Sequence, residues 1–373
     1  MTRMRHKILL MYITVRSGHY QAARAVEQAI HRVQPQAEIL TIDAFQYLNP
    51  VLARIVDRMY LSVIQKIPDL WEYLYDSPHV VQRSERFRKL LHQYDSPRLK
   101  SLLEEFQPDA VACTQAFPCG LVADYKEANG LKIPLYGVLT DFWPHAYWVH
   151  KQVDGYLVPA EQTKHWLTNR EVSQDKIHVT GIPIDPAFAA TPDPALLHLR
   201  FQMNNGIPVL LLMGGGQGLG PLLESVDLLD RVNRRFQLMV VAGSNESLYH
   251  RLITRAPRMK HPMQVFGHVD FVADLMSVAT LIVTKTGGLT TSEALAKGLP
   301  ILALNPIPGQ ETSNARFLVN AGAACLAKNL ADLPMLLDHL LGSPEELRTM
   351  AQNSRRLGHA RSADEAARLI LAG

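Results

Sequence analysis

Residues 282–314, IVTKTGGLTTSEALAKGLPILALNPIPGQETSN, carry the pattern that decides the fold of this chain. The stretch begins in a short apolar run rich in β-branched residues, which is typical of a buried strand. A Gly-Gly turn, a segment with helical spacing and a second apolar run follow it. The predicted order is strand 281–283, turn 287–288, helix 289–297 and strand 301–304. This order is half of a parallel α/β sheet.

The predicted helix of this stretch carries recognisable end signals. We expect Thr290, Thr291 or Ser292 to cap its start and Gly298 to end it. Since a Gly-Gly turn ending in Gly288 leaves main-chain N–H groups open at the positive end of the helix dipole, this turn predicts a phosphate site.

Carboxylate and amide side chains lie close to this predicted phosphate site. Glu293 lies one turn inside the helix, where it could accept hydrogen bonds from a ribose diol. Residues 306–311 predict a stiff loop that presents Gln310 and Glu311 side by side. A structural alternative stays open, in which the glycines only turn the chain and Glu293 only faces solvent.

Composition limits the function classes. The chain has 373 residues, 47% hydrophobic and 20% charged, which predicts a globular protein of two domains. A net charge of +3 does not favour nucleic acid as a partner. Three scattered cysteines favour neither a disulfide framework nor a zinc site and indicate a reducing cytoplasm. Metal-ligand spacing is lacking, so we expect no metal and no cofactor.

Membrane contact is expected to be peripheral. The apolar run near the start leads directly into polar residues and predicts a first strand rather than a signal peptide. No window is long and apolar enough for a spanning helix. Residues 50–100 are amphipathic, aromatic and locally basic, which suits a bilayer interface with anionic headgroups. An ordinary pair of packing helices is the alternative.

The first half of the chain has a repeating α/β pattern. Loops that follow its strands belong at the carboxyl edge of a sheet, where open α/β folds bind ligands. His19 lies in the first such loop at the mouth of a helix, so it is a candidate base, with a surface or capping role as the alternative. Asp141, His145 and Trp148 belong to a later loop at the same edge. The predicted strands are 7–13, 38–42, 109–113, 135–140, 155–159 and 176–180.

The second half repeats the pattern after a proline-rich stretch. Strand 209–213 leads into the loop Gly214–Gly220, whose glycines let a pyrophosphate approach the main chain. Further strands are predicted at 237–242 and 263–266, and the main chain after Phe266 could hold a base. A final helix is predicted with Ser362 as its cap and Glu365 three residues on.

Motifs along nearly the whole chain resemble those of one glycosyltransferase family. The segments are Ser17-Gly18-His19, Thr140-Asp141-Phe142 with His145 and Trp148, Thr180–Pro183, MGGGQGLG at 213–220, Gly243–Asn245, KTGGLTTSEALAKGLP at 285–300 and PIPGQE at 306–311. They resemble the monogalactosyldiacylglycerol synthases and processive diacylglycerol glucosyltransferases, relatives of the N-acetylglucosaminyltransferase that makes the peptidoglycan lipid precursor.

The resemblance implies an α/β architecture of the GT-B type, with two Rossmann-like domains whose parallel sheets face each other across a cleft. Residues 1–187 would be an acceptor domain that faces the membrane and 188–360 a UDP-sugar domain. Residues 361–373 would form a C-terminal helix, which could pack back on the first domain. The enzyme would work at the inner face of the cell membrane.

The resemblance also implies roles for individual residues. His19 and Asp141 would lie near the acceptor hydroxyl, with His19 as the first choice of base. Donor binding would fall to Gly215, Gly216, Gly288 and Thr290 for the diphosphate, Phe266 and Gly267 for the uracil, Glu293 for the ribose, and Gln310 and Glu311 for the sugar. The family often has more glycines before this histidine than residues 15–17 provide.

The expected activity is inverting, metal-independent transfer of galactose or glucose from a UDP-sugar to diacylglycerol, to make a membrane glycolipid. Three alternatives stay open: transfer of N-acetylglucosamine to another lipid acceptor, epimerisation of a UDP-sugar, and sugar-nucleotide binding without catalysis.

Overall fold

The computed structural model describes residues 6–14, 17–48, 97–304, 306 and 309–373. The predicted amphipathic segment, at 50–100, falls almost wholly outside them. The described chain forms two compact units. The first comprises Met1–Pro186, Pro308–Gln310 and Arg361–Gly373, and the second comprises Ala187–Ile307 and Glu311–Ala360.

The first unit is built on a parallel sheet. Within the described residues this sheet has six strands in the order β2-β1-β3-β4-β5-β6. The strands are β1 (Lys7–Tyr12), β2 (Glu38–Asp43), β3 (Ala110–Cys113), β4 (Leu135–Val138), β5 (Gly155–Val158) and β6 (Ile177–Val179). The helices are Gly18–Val33, Ala44–Leu48, 97–106, Ala116–Asn129, Glu161–Thr168 and Ser362–Ala372.

Helices pack on this sheet through small and aliphatic side chains. The helix Gly18–Val33 buries a stripe that includes Ala22, Val26 and Ile30. The C-terminal helix Ser362–Ala372 contributes to the same apolar cluster. It also forms an ion pair with the first helix, since Arg32 Nη2 lies 2.5 Å from Asp364 Oδ1. The two ends of the chain therefore share one core.

The second unit repeats the design. Its described residues form a six-stranded parallel sheet in the order β12-β11-β10-β7-β8-β9. The strands are β7 (Val209–Met213), β8 (Gln237–Val241), β9 (Met263–Phe266), β10 (Leu281–Thr284), β11 (Ile301–Leu304) and β12 (Ala324–Ala327). The helices are Pro194–Arg200, Leu222–Leu229, Glu246–Arg255, Val272–Val278, Gly288–Ala296, Gln310–Asn320, Leu333–Gly342 and Pro344–Leu357.

In each sheet there is one point, the switch point, at which the order of the strands reverses. In the first sheet this point lies between β1 and β3, and in the second it lies between β7 and β10. The loops after two such strands diverge to opposite faces and leave a crevice, which is where open α/β sheets bind ligands. The sequence-predicted site loops follow β1, β7 and β10, so they lie at these two switch points.

The strand predictions are confirmed to within two residues, but β12 was missed. The predicted end of the helix Gly288–Ala296 is confirmed, because Gly298 follows it with a left-handed φ of 64°. The predicted cap at its start is wrong. Gly287 is the N-cap residue, and Thr291 lies inside the first turn, where its hydroxyl donates to the Gly287 oxygen at 2.8 Å.

The predicted cap of the C-terminal helix is also wrong. Arg361 occupies the N-cap position. The Ser362 hydroxyl is buried and instead accepts a hydrogen bond from the Ile184 N–H at 3.3 Å. Among the helices in the described ranges, none has both the length and the apolar character needed to cross a bilayer.

Candidate active site

His19 lies at the switch point of the first sheet. It is the second residue of the helix Gly18–Val33, whose first turn is capped by the Ser17 hydroxyl. Its Nδ1 lies 2.9 Å from the main-chain oxygen of Thr114, which follows β3, and 2.9 Å from Thr140 Oγ1, which lies beyond β4. The Thr114 hydroxyl donates to the His19 main-chain oxygen at 2.9 Å. The loops after β3 and β4 therefore hold this residue.

These contacts determine the tautomer of the His19 ring. A carbonyl oxygen can only accept, so Nδ1 must carry the hydrogen that faces Thr114. The lone pair of the neutral ring then lies on Nε2. A histidine held in this way is oriented for proton transfer by Nε2.

Burial keeps both histidines of this region neutral. Burial lowers the pKa of His19 from 6.5 to about 4, against a smaller upward effect of the hydrogen bond to Thr114. Burial and, to a smaller extent, the nearby His19 together lower the pKa of His145 to about 3. Each ring is therefore uncharged at neutral pH.

The loop that carries Asp141 is held by neighbouring side chains. The buried Tyr156 hydroxyl donates to the Trp148 oxygen at 2.9 Å and accepts from the His150 N–H at 2.9 Å. The Thr163 hydroxyl donates to the Phe142 oxygen at 2.8 Å. These hydrogen bonds anchor the loop next to Asp141, at Phe142, and further along, at Trp148 and His150.

Asp141 follows Thr140, whose hydroxyl touches His19, and it is partly buried. Gln310, which groups with the first unit, donates from Nε2 to Asp141 Oδ2 at 2.5 Å. Gln310 and Glu311 had been predicted in a loop, but they are the first residues of the helix Gln310–Asn320. Gln310 therefore reaches a predicted catalytic residue.

Backbone strain lies next to this region and was not predicted. Thr14, two residues beyond β1, has a φ of 62°, which a β-branched residue seldom adopts. Its N–H donates to Asp43 Oδ2 at 3.0 Å, and its main-chain oxygen accepts from the Ser17 hydroxyl at 2.7 Å. These hydrogen bonds therefore hold Thr14 in its left-handed conformation.

The glycine-rich loop after β7 contains two kinds of glycine. A Cβ on Gly214 would lie 2.0 Å from the Leu219 oxygen, and one on Gly218 would lie 2.0 Å from the Ala242 oxygen. These two positions are glycines because main chain packs on main chain. A Cβ on Gly216 would meet nothing within 4 Å, and one on Gly215 would meet only Lys285 Cε at 3.7 Å. The predicted phosphate-binding pair is therefore open on its Cβ side.

The helix Gly288–Ala296 starts beside this loop. Its N-cap is Gly287, which has no side chain with which to satisfy the first N–H groups. Gly288 and Thr290 lie in the first turn, and Glu293 lies in the second and is partly buried. The positive end of this helix therefore lies at the switch point of the second sheet.

Lys285 is a further side chain of this region, which no sequence motif singles out. Lys285 Nζ lies 2.6 Å from Glu311 Oε1. Glu311 had been assigned to sugar hydroxyls, and here it pairs with a cation. The signal available in the sequence was a lysine directly after the strand that leads to the Gly-Gly turn.

Phe266 and Gly267 lie at the end of β9, next to β8. The Phe266 main-chain oxygen accepts from the Ala242 N–H at 2.8 Å, and its ring packs edge-on against Phe201 and Phe271. The ring is thus engaged with other aromatic side chains of the unit. Across the described ranges, no group of three or more His, Cys, Asp or Glu side chains has the arrangement of a metal site.

Comparisons with known proteins find matches to both halves of the chain. The family profile described as monogalactosyldiacylglycerol (MGDG) synthase matches residues 19–184. The profile of the glycosyltransferase family 28 C-terminal domain matches residues 209–367. A processive diacylglycerol beta-glucosyltransferase of Bacillus cereus (strain B4264) is 30% identical over 347 residues, covering 93% of this chain and 88% of that protein.

Solved structures show the same fold. MurG of Acinetobacter baumannii superimposes with a TM-score of 0.65 at 16% identity, covering 99% of this chain and 100% of that one. The UDP-GlcNAc 2-epimerase of Neisseria meningitidis, solved with UDP-GlcNAc, has a TM-score of 0.62 at 15% identity, covering 99% and 100%. With the two parallel sheets, these similarities confirm the predicted α/β fold of the GT-B type.

The match to the glucosyltransferase extends over nearly the whole length of both chains, and the two profiles match the halves in the same order. This chain therefore belongs to the glycosyltransferase family of the monogalactosyldiacylglycerol synthases and processive diacylglycerol glucosyltransferases.

Proposed function

We propose that the chain transfers a hexose from a UDP-hexose to the hydroxyl of diacylglycerol, with inversion at the anomeric carbon and without a metal ion. The observation that carries the proposal is the second switch point. The open glycines Gly215 and Gly216 lie there beside the start of a helix. The N-cap residue of that helix is Gly287, which provides no side-chain cap. Main-chain N–H groups and a helix dipole at one point suit the diphosphate of a sugar nucleotide.

The first unit supplies the proton acceptor. His19 Nε2 would take the proton of the diacylglycerol hydroxyl as that oxygen bonds to the anomeric carbon. The bond from this carbon to the β-phosphate oxygen breaks on the opposite face, and UDP leaves with the electron pair. The N–H groups around Gly216 and Gly288 would stabilise the charge that develops on the departing phosphate.

The remaining donor contacts follow from the placement of the predicted residues. Thr290 lies in the first turn with the diphosphate, and Glu293 would receive the ribose hydroxyls from the second turn. Gly267 would border the uracil. Gln310 and Glu311 would contact the hexose. In this assignment residues 1–187 serve the acceptor, residues 188–360 serve the donor, and residues 361–373 support the acceptor domain.

The acceptor and the membrane complete the proposal. The Bacillus cereus relative is named as a diacylglycerol glucosyltransferase, so UDP-glucose is the first donor to test and UDP-galactose the second. Diacylglycerol resides in a bilayer, which the enzyme would reach peripherally from the cytoplasmic side. Residues 50–100 would contact anionic headgroups there.

The proposal is tested by incubating purified protein with UDP-glucose and UDP-galactose, with and without vesicles that contain diacylglycerol. We expect a hexosyl-diacylglycerol in the lipid fraction by mass spectrometry, together with free UDP. Interconversion of the UDP-sugars without vesicles would identify an epimerase instead. UDP binding with no product from any lipid acceptor would identify a binding protein.

A further inference from the structure

Lys285 occupies the second switch point in a way that the proposed contacts do not use. It follows β10 directly, and its Cε lies 3.7 Å from the position that a Cβ on Gly215 would take. Its Nζ lies 2.6 Å from Glu311 Oε1. The exposed fractions of the two side chains are 23% for Lys285 and 11% for Glu311. The ammonium end of Lys285 therefore lies close to the open Gly215.

The main chain on both sides of this ion pair is held in place. The Thr284 hydroxyl donates to the Met213 oxygen at 2.7 Å. The Thr286 hydroxyl donates to the Glu311 oxygen at 2.5 Å, and Asn314 Nδ2 donates to the Thr286 oxygen at 3.1 Å. Thr284, Thr286 and Asn314 are fully buried. A change of partner by Lys285 or Glu311 therefore requires side-chain rotation only.

The carboxylate of this pair lies where an anion is favoured. Glu311 Oε1 is 3.9 Å from the position that a Cβ on Gly287, the N-cap residue, would take. It thus faces the positive end of the helix Gly288–Ala296 while it neutralises Lys285. A diphosphate brought to the same helix end would meet this negative charge at close range. Two like charges so close together are unfavourable, so one of them must leave.

We propose that Glu311 is a placeholder anion, which Lys285 exchanges for the diphosphate when the sugar nucleotide binds. This inference rests on the proposed function and assigns a role within the same donor site. The ammonium group turns from the carboxylate to the phosphate oxygens. The released Glu311 carboxylate then becomes available to the hydroxyls of the hexose. Recognition of the sugar and of the diphosphate is thereby coupled through one ion pair.

The exchange predicts opposite effects for the two partners. Lys285→Met removes the cation, so UDP binding should weaken by about tenfold or more, as for loss of a charge-assisted contact. Glu311→Gln removes the competing charge, so UDP binding should strengthen by about threefold, the scale of a partly exposed ion pair. A static ion pair that only supports the fold gives no increase in affinity in the glutamine variant.

The experiment is calorimetric titration of the full-length protein and the two variants with uridine, UDP and UDP-glucose. Uridine lacks the phosphates, so its affinity should be the same in all three proteins. The affinity for UDP should fall in Lys285→Met and rise in Glu311→Gln. The preference for UDP-glucose over UDP should fall in Glu311→Gln, because the carboxylate that serves the hexose is gone. Lys285→Arg, which keeps the charge, should recover part of the UDP affinity lost in Lys285→Met.

The outcomes separate this inference from the proposed function. Failure of the unmodified protein to bind UDP contradicts the proposed function. Normal UDP binding by the unmodified protein, with equal UDP affinity in Lys285→Met, overturns the role of Lys285. Unchanged or weaker UDP binding by Glu311→Gln overturns the placeholder role of Glu311. Thermal melting of each variant checks that its fold is intact, and Lys285→Gln, which also removes the charge, replaces Lys285→Met if that variant does not fold.

Discussion

The Nδ1 atom of His19 lies 2.9 Å from the main-chain oxygen of Thr114, a residue 95 positions away in the chain. The contact joins the loops that follow β1 and β3, and it leaves Nε2 as the basic nitrogen. The chemistry proposed for the first unit depends on this contact, because a ring with the opposite tautomer would present a hydrogen to the acceptor hydroxyl.

His19→Ala should retain UDP binding and lose most of the turnover. The imidazole lies in the first unit, whereas the proposed nucleotide contacts lie in the second. Loss of a general base lowers rates by about 10²- to 10⁴-fold. The measurement is kcat for glycolipid formation, with UDP affinity measured on the same preparation.

Asp141→Asn is the matched comparison, since Asp141 is the other candidate base. With His19 as the base, the asparagine variant should keep much more activity than His19→Ala. The reverse order of the two variants would transfer the role of base to Asp141. Unchanged turnover in His19→Ala would remove His19 from the mechanism.

The acid limit of activity should lie well below the ordinary pKa of histidine. The folded-state pKa of His19 is lowered to about 4 by burial, so Nε2 stays unprotonated as the pH falls from 8 towards 5. Activity should then decline as the pH falls through about 4, where protonation removes the lone pair. The measurement is kcat/KM against pH, with melting curves at each pH because acid also affects the fold. An acid limb centred near 6.5 would contradict this account of His19.

Two glycines of one loop should respond differently to the same substitution. Gly216→Ala should melt normally, because the added methyl group meets nothing within 4 Å. It should weaken UDP binding by about tenfold, because the methyl group fills the space assigned to the diphosphate. The measurements are a thermal melt and a UDP titration.

Gly218→Ala is the control for that loop. Its Cβ would lie 2.0 Å from the Ala242 oxygen, and the residue has a φ of 59°. We expect a loss of stability of about 2 kcal/mol or more. A normal UDP affinity in Gly216→Ala would contradict the position of the diphosphate. A normal melt in Gly218→Ala would contradict the packing of the loop.

Tyr156→Phe should destabilise the first unit and reduce turnover. Its hydroxyl bonds the main chain at Trp148 and His150, and the phenylalanine would leave buried groups without that partner. Loss of such contacts costs about 1 to 3 kcal/mol. The loop that carries Asp141 should become looser, so kcat should fall more than UDP affinity. Urea unfolding and steady-state rates measure the two effects. An unchanged unfolding midpoint would show that this hydroxyl does not hold the loop.

Much of the fold could be predicted from local patterns. Apolar runs rich in Val, Ile and Leu located most of the strands, because strands buried on both faces give continuous apolar runs. Strand β12, Ala324–Ala327, was missed, since ACLA is short and lacks β-branched residues. Its pairing with β11 at the edge of the sheet, which is a tertiary effect, makes it a strand.

The site could be predicted only where one segment carries all of it. The Gly-Gly turn and the glycine-rich loop can each be recognised from their local composition. The contacts of His19 with Thr114 and of Lys285 with Glu311 join distant segments, so no local pattern reports them. The wrong caps have a similar cause. Thr291 and Ser362 are good capping residues by type, but tertiary contacts and the exact start of each helix decide which residue caps.

The most direct test of the account is the configuration of the glycosidic bond in the product made from UDP-glucose, in which the glucose is α-linked. Purified protein is incubated with UDP-glucose and diacylglycerol vesicles, and the anomeric coupling of the glycolipid is read by proton NMR. The account predicts a β-glucosyl-diacylglycerol, because one attack opposite the departing UDP inverts the anomeric carbon. An α-linked product, or no lipid product from either UDP-glucose or UDP-galactose by a protein that binds UDP, would contradict it.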